Sequence, residues 1–383
     1  MAAKTEAGCF VIADISGYTS FFAGVEIDHA HDIIADLMTT LLKRLRPLFK
    51  LAKFEGDAAF VYAAADKVDG SRLQDAIESA YLAFRKRLRD MKQGTSCTCK
   101  ACSKMQDLDL KFVAHHGEFV RQKIMGREEL AGSDVILVHR LLKNAVNERF
   151  GSHAYALYSD ACTRAMGIDP AAQGLAGHQE KIDVIGDVPC WVRDLETAWT
   201  EENDRRREEV TRERAAVVLE FDFAAPRQTV WDYFTIPELR PKWRAADEVR
   251  EAPADGSGRR GVGTVNHCMH GAAAIIEEIL DWRPFDYLTL TTLVPVPDAP
   301  KVLMSYAFEE RPGGTHVEIR LARPKPKDQA FFDKVVGTFK EHITHEVDVL
   351  RPLVEGAPDI VDALEDPAIP AGMGRTGHFE RQN

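Results

Sequence analysis

Two acidic residues near the N-terminus have neighbours that make them candidates for chemistry. Asp14 lies at the end of a mostly apolar run, 9–15, closed by Ser16-Gly17. Asp57 sits in Glu55-Gly56-Asp57, between the apolar runs 48–54 and 58–63. If these runs are strands, Asp14 ends the first and Asp57 occupies a hairpin turn beside it. Two carboxylates at adjacent strand ends can hold Mg2+ or Mn2+, because such hard cations take one or two carboxylates plus substrate phosphate oxygens. Singly, Asp14 could be a cap and Asp57 an ordinary turn residue; it is the pairing that makes a site. A second cluster is Cys97-Thr-Cys99-Lys-Ala-Cys102. Three closing thiolates could bind Zn2+ with a fourth ligand from His115, His116 or Cys162. A reduced or redox-sensitive thiol loop is the other reading.

Positioning these residues requires an ordered alternation of elements. Ile33, Ile34, Leu37, Met38, Leu41, Leu42 and Leu45 recur at helical spacing, and Pro47 ends that helix. A long amphipathic helix is predicted at 73–91, a strand at 108–115, a helix at 135–146, and closing strands at 155–158, 182–184 and 190–192. The order strand-helix-strand-strand-helix-strand predicts an α+β, ferredoxin-like (βαββαβ) sheet with helices on one side. From 196 to 214 the composition turns abruptly to charge, with twelve of nineteen residues charged, which predicts a solvated helix or linker. A second unit follows, with strands at 217–223, 262–268, 272–279, 287–293, 302–308 and 316–321, a short helix after Pro226 and a long one at 327–353. The expected division is 1–195, a charged linker 196–214, 215–355, and a loose tail 356–383 rich in Pro, Gly and acid.

The first unit resembles the catalytic domain of class III adenylyl/guanylyl cyclases. Ile12, Asp14, Ile15, Gly17, Tyr18 and Thr19 follow that family's F-x-D-I-x-G-F-T motif, and Lys53, Gly56 and Asp57 its K-x-x-G-D motif. The run Gly132-Ser-Asp-Val135-Ile136-Leu-Val-His139-Arg140 aligns with G-x-x-V-N-x-A-x-R. The resemblance implies that Asp14 and Asp57 are the metal carboxylates and the Ile15 carbonyl a further ligand. It places Lys53 and Glu129 where adenine is read, and Arg140 where charge developing on the phosphates is neutralised. Two positions depart from the pattern: the family's asparagine falls on Ile136 and its late phosphate-binding lysine on or near Ile185. Losing one such donor costs about 10²–10³ in rate. The implied protein holds ATP with a divalent ion and is impaired in cyclising it. The alternative is an active adenylyl cyclase making cyclic AMP, with Asn144, Lys143 or Lys181 substituting. Because the family builds its sites between two such domains, a homodimer is implied.

In the second unit, Phe223, Pro226, Val230, Trp231, Tyr233, Phe234, Pro237, Glu238 and Trp243, with Gly261-Val262-Gly263-Thr264, resemble the START-like (SRPBCC) helix-grip family that includes polyketide cyclases. A curved antiparallel sheet wrapped on one long helix implies an apolar cavity, with Trp231, Phe234, Trp243 and Trp282 as candidate lining residues and an apolar small molecule as ligand. A third reading follows: a hydrophobic-ligand protein whose first unit is only a scaffold.

Composition bounds these readings. Of 383 residues, 45% are hydrophobic and 28% charged, enough apolar residues for more than one core. The formal charge of -11, from 49 basic and 60 acidic residues, argues against a general nucleic-acid or anionic-membrane binder but not against one nucleotide in a local pocket. No apolar run approaches the roughly 18 residues of a membrane span, and no signal core opens the chain, so a cytoplasmic location is expected. Seven cysteines, an odd number in a long chain, argue against a disulfide framework.

Overall fold

The first strand is apolar at consecutive positions because both of its faces are covered. In the computed structural model, β1 (Thr5–Ser16) turns Cys9, Val11, Ala13 and Ile15 into one core and Phe10 and Ile12 into another. The structure describes residues 4–23, 25–46, 48–94, 99–204, 207–252, 259–271, 273–294 and 299–355, in two units within 4–204 and 207–355.

After β1 come α1 (Tyr18–Phe22), α2 (Ile27–Leu45), β2 (Lys50–Glu55), β3 (Ala58–Ala64), α3 (Gly70–Gly94), α4 (Lys100–Lys104), β4 (Asp109–Ile124) and β5 (Arg127–Ala131). Then follow α5 (Ser133–Leu141), α6 (Val146–Phe150), β6 (Tyr155–Ser159), α7 (Asp160–Ala165), β7 (Ala176–Ile182), β8 (Gly186–Asp194) and α8 (Leu195–Asp204). The sheet runs β2-β3-β1-β4-β6-β8-β7, with β5 folded back on β4. Its first four strands, with α2 and α3, are the expected βαββαβ unit.

All seven periodic residues of α2 are buried, packed with Leu73, Ile77, Tyr81 and Phe84 of α3 against one face of the sheet. Helix α5 covers the other face, where Val135, Val138 and Leu141 meet Phe10, Ile12, Phe60 and Val113. The helices therefore flank both faces, as the two-sided apolarity of β1 requires. The helix expected at 135–146 is interrupted: Asn144 donates to the Leu141 carbonyl and accepts from the Val146 N–H, ending α5 and opening α6. The strand expected at 182–184 is instead the end of β7 and its turn into β8. β7 alternates buried with exposed residues, and its buried set includes His178 and Glu180, which hid the apolar signal.

The second unit contains β9 (Ala215–Phe223), α9 (Arg227–Thr235), β10 (Glu248–Ala252), β11 (Val265–His270), β12 (Ala273–Arg283), β13 (Tyr287–Leu293), β14 (Val302–Arg311), β15 (Gly314–Ala322) and α10 (Gln329–Glu355). Its antiparallel sheet runs β10-β11-β12-β13-β14-β15-β9 and grips α10 through Ile343, Val347, Leu350 and Val354. Strand β10, short and charged at alternate positions, carries little apolar signal. Part of the charged segment is built into this unit. The Val210 N–H donates to Ser305 Oγ at 2.8 Å, and Arg212 pairs with Glu220 and Glu318. In the first unit, Glu196 of α8 accepts from Tyr81 and Arg85. The segment 356–383 lies outside the described residues. Among the described residues, no helix is long and apolar enough to cross a membrane.

Candidate metal and nucleotide site

Strand register sets the site. Asp14 lies opposite Ala58 of β3 on one side and Lys111 of β4 on the other. The β2–β3 hairpin closes with Glu55 opposite Ala58, leaving Gly56-Asp57 as a two-residue turn. Gly56 has φ +69°, a backbone region in which glycine carries no steric cost. The Ile15 N–H donates to the Asp57 carbonyl at 3.2 Å, pinning the turn to the end of β1. The structure thus brings Asp14, Ile15 and Asp57 together.

Both carboxyls are half-buried. Burial pushes Asp14 above the usual carboxylate value, while Lys111 pulls it back down. Burial likewise raises Asp57, and the negative charge of Asp14 raises it further. Two acids that repel one another through a partly dry medium form a site that a cation relieves. The donor set, two carboxylates beside a strand end, suits a hard divalent ion. One charge is already present: Lys111 Nζ lies 3.1 Å from Asp14 Oδ2. Lys111 is not legible as a site residue from the sequence, because a lysine in an alternating strand reads as solvent-facing; only register puts it opposite Asp14.

The remaining candidates surround this centre. Lys53, three residues before the turn, pairs with Glu55 at 2.7 Å, and Glu55 also meets His139 of α5 at 3.1 Å. Glu129 is half-buried on β5, next to Glu128, which accepts from Tyr62 of β3. Ile136 and Arg140 stand one helical turn apart and are both exposed on α5, Ile136 at 57%. Ile185, 45% exposed, lies in the β7–β8 turn. Asn144 cannot replace the missing amide at position 136. Its oxygen accepts from the Tyr155 hydroxyl and the Val146 N–H, its nitrogen donates to Leu141, and it lies beyond the end of α5.

His115 forms a buried bridge that the sequence did not reveal. Its Nδ1 meets Ser159 Oγ at 2.7 Å and its Nε2 meets Asp134 Oδ1 at 3.3 Å. Asp134 also accepts from the Glu118 N–H at 2.7 Å. Gly117 makes room for this, since a Cβ there would stand 2.3 Å from the Asp134 carboxyl carbon. The order Ser-His-Asp is not a nucleophilic triad: Ser159 is buried, and its hydroxyl already caps α7 by accepting from the Cys162 N–H. The bridge fastens α5 to β4 and β6. Burial pushes the His115 pKa below its ordinary value.

The Cys-rich segment is only partly as expected. Cys97 lies outside the described residues. Cys99 and Cys102 stand at the start of α4 beside His29, not beside the fourth ligands expected from sequence. His115 belongs to the bridge above, and Cys162 is buried against Cys9.

In the second unit, the expected apolar cavity is in part filled and in part polar. Trp231 packs against Trp282, Phe285 and Phe308, with ring centroids 4.9 to 5.9 Å apart, and Trp243 packs against Phe234 at 4.9 Å. Of the four aromatics, Phe234 and Trp282 line a small pocket. They share it with Leu288 and Leu290 and with polar residues of both charges, Arg240, Arg244, Glu251 and Asn266. Behind it, fully buried Glu277 meets Arg240 at 2.5 Å and Arg244 at 3.6 Å, and Arg244 reaches Glu346 at 3.7 Å. Such charges are stable in a core only because they pair. The sequence signal was the acid on β12 where alternation calls for an inward residue.

Residues 34–150 match a family model described as a protein of unknown function. An uncharacterized protein of Mycobacterium tuberculosis is 42% identical over 113 residues, 30% of this chain and 52% of the relative, so the chain spans about half the length of the curated relative it matches. Among solved structures, a guanylyl cyclase is 16% identical, covering 50% of this chain and 93% of its own, with a TM-score of 0.39. An adenylyl cyclase from P. aeruginosa is 18% identical over 55% of this chain and 100% of its own, with a TM-score of 0.36. A protein from Mycobacterium smegmatis is 14% identical over 38% and 94%, with a TM-score of 0.31. The N-terminal half is similar to class III adenylyl and guanylyl cyclases, and residues 214–355 match the model of the polyketide cyclase / dehydrase and lipid transport family.

Proposed function

We propose that the N-terminal unit binds ATP together with Mg2+ or Mn2+ and is impaired in cyclising it, and that the C-terminal unit takes a largely apolar small molecule. The observation that carries the first part is the pinned pair of mutually repelling carboxyls, Asp14 and Asp57, at the end of β1. Asp14, Asp57 and the Ile15 carbonyl would hold the ion, which when bound supplies positive charge to the triphosphate oxygens. Lys53 and Glu129 would read the base, Lys53 by donating to the adenine N1 acceptor. Impairment follows from Ile136 and Ile185, neither of which can donate a hydrogen bond, and from Asn144, whose amide is committed within the chain. Arg140 and Ile136 lie on an exposed face of α5, and Ile124 and Met125 are exposed at the β4–β5 hairpin. These are surfaces a second copy would cover in the homodimer that places Arg140 over a partner's phosphates. In the C-terminal unit, Phe234, Trp282, Leu288 and Leu290 would receive the apolar body, and Arg240, Arg244 and Asn266 a polar group on it.

Calorimetry with ATP and GTP, with and without Mg2+ or Mn2+, beside a cyclic-nucleotide assay, tests the reading. Ion-dependent ATP binding without product supports it. Robust cyclic AMP formation overturns the impairment, and no nucleotide binding overturns the site. Lys53→Glu should weaken the preference for adenine over guanine, and an unchanged preference would remove Lys53 from the base pocket.

A further inference from the structure

We infer that His29, Cys99 and Cys102 form a zinc site that ties the first turn of α2 to α4. A His29 ring nitrogen and the two sulfurs all lie within 4.8 Å of one another, with His29 Nδ1 3.2 Å from Cys99 Sγ. A tetrahedral zinc with Zn–S near 2.3 Å and Zn–N near 2.0 Å has ligand-to-ligand edges of about 3.5 to 3.8 Å. The cluster therefore needs only small side-chain adjustment to receive the ion. Two soft sulfurs with one imidazole select zinc over the hard cations suited to Asp14 and Asp57.

The surroundings are arranged for thiolates. Cys99 is the N-cap of α4, and its sulfur accepts from the Cys102 N–H at 3.4 Å, a bond that stabilises negative charge on sulfur. Both cysteines are half-buried against the α2–α3 core and neither is in a disulfide. Glu26, the N-cap of α2, accepts from the Ala101 N–H at 3.2 Å, so the two segments already meet without the ion. His29 comes from a stretch some seventy residues away in the chain, which is why the Cys spacing alone pointed to other histidines. Three protein donors leave one of zinc's four positions for water or a further donor. The ion would brace α2, which follows the Asp14 segment, against the segment leading into β4. The inference stands on its own geometry and does not depend on the nucleotide reading.

The test strips the reduced full chain with a chelator and titrates it with Co2+, then Zn2+. The thiolate-to-cobalt charge-transfer and visible bands of a tetrahedral two-sulfur site should saturate at about one Co2+ per chain and be bleached by Zn2+. Cys102→Ser should lose half or more of the charge-transfer intensity. His29→Ala should weaken Co2+ binding by about tenfold or more, and because His29 is exposed on the first turn of α2 this variant keeps its fold, as circular dichroism would check. Absence of the bands in the reduced protein, or bands unchanged in both variants, would overturn the site. Finding Cys99 and Cys102 joined as a disulfide after anaerobic purification would do the same.

Discussion

Lys111→Met is the most direct probe of the carboxylate pair. The substitution keeps side-chain length and removes the ammonium 3.1 Å from Asp14 Oδ2, in a pair whose side chains are only 22% and 14% exposed. A hydrogen bond to a charged group contributes about 1.5–3 kcal/mol, so the ion-free protein should lose about that much stability. The divalent ion should gain, since it no longer has to displace or share space with a positive charge. If half of that interaction is returned to it, about 0.8–1.5 kcal/mol, Mn2+ should bind about four- to thirteenfold more tightly. At a hundredfold excess over Kd the ion adds about 2.7 kcal/mol, which offsets most or all of the loss. Titration calorimetry with MnCl2, beside thermal melts with and without the ion, measures both quantities, and Asp57→Asn serves as the variant expected to lose the ion. A Lys111→Met protein that is destabilised but binds Mn2+ no better than the parent would refute the reasoning, because the ion would then lie away from Asp14.

Other expectations concern the two buried polar networks. Arg240→Met should cost about 3–5 kcal/mol in urea unfolding, because it leaves Glu277 charged and without its closest partner in the core; a loss near zero would mean that water reaches Glu277. His115 is held below its ordinary pKa by burial, so as pH falls below about 6.5 the unfolded chain takes up this proton before the native one does. Its contribution to stability is therefore complete above that pH and lost on acidification, with a slope of up to about 1.4 kcal/mol per pH unit. His115→Gln should flatten the wild-type curve there by one proton, and parallel curves would show that His115 titrates normally.

Local chemistry made much of this protein legible in its sequence. The 3.6-residue apolar period of α2 and the glycine turn before Asp57 each depend on neighbours within a few positions, and each formed where expected. The same holds for the βαββαβ order and the long helix gripped by the second sheet. Helices were expected on one side of the first sheet, whereas α5 covers the second face. Tertiary structure alone decided the contacts that join distant segments. Register set Lys111 against Asp14, and chain reversal brought His29 to Cys99. Packing of α5 on the second sheet face joined His115 to Asp134, and packing against the second sheet buried Arg240 with Glu277 of β12. The physical reason is common to all four. Each joins groups far apart in the sequence whose types also suit other surroundings, and only the folded chain shows which of them meet.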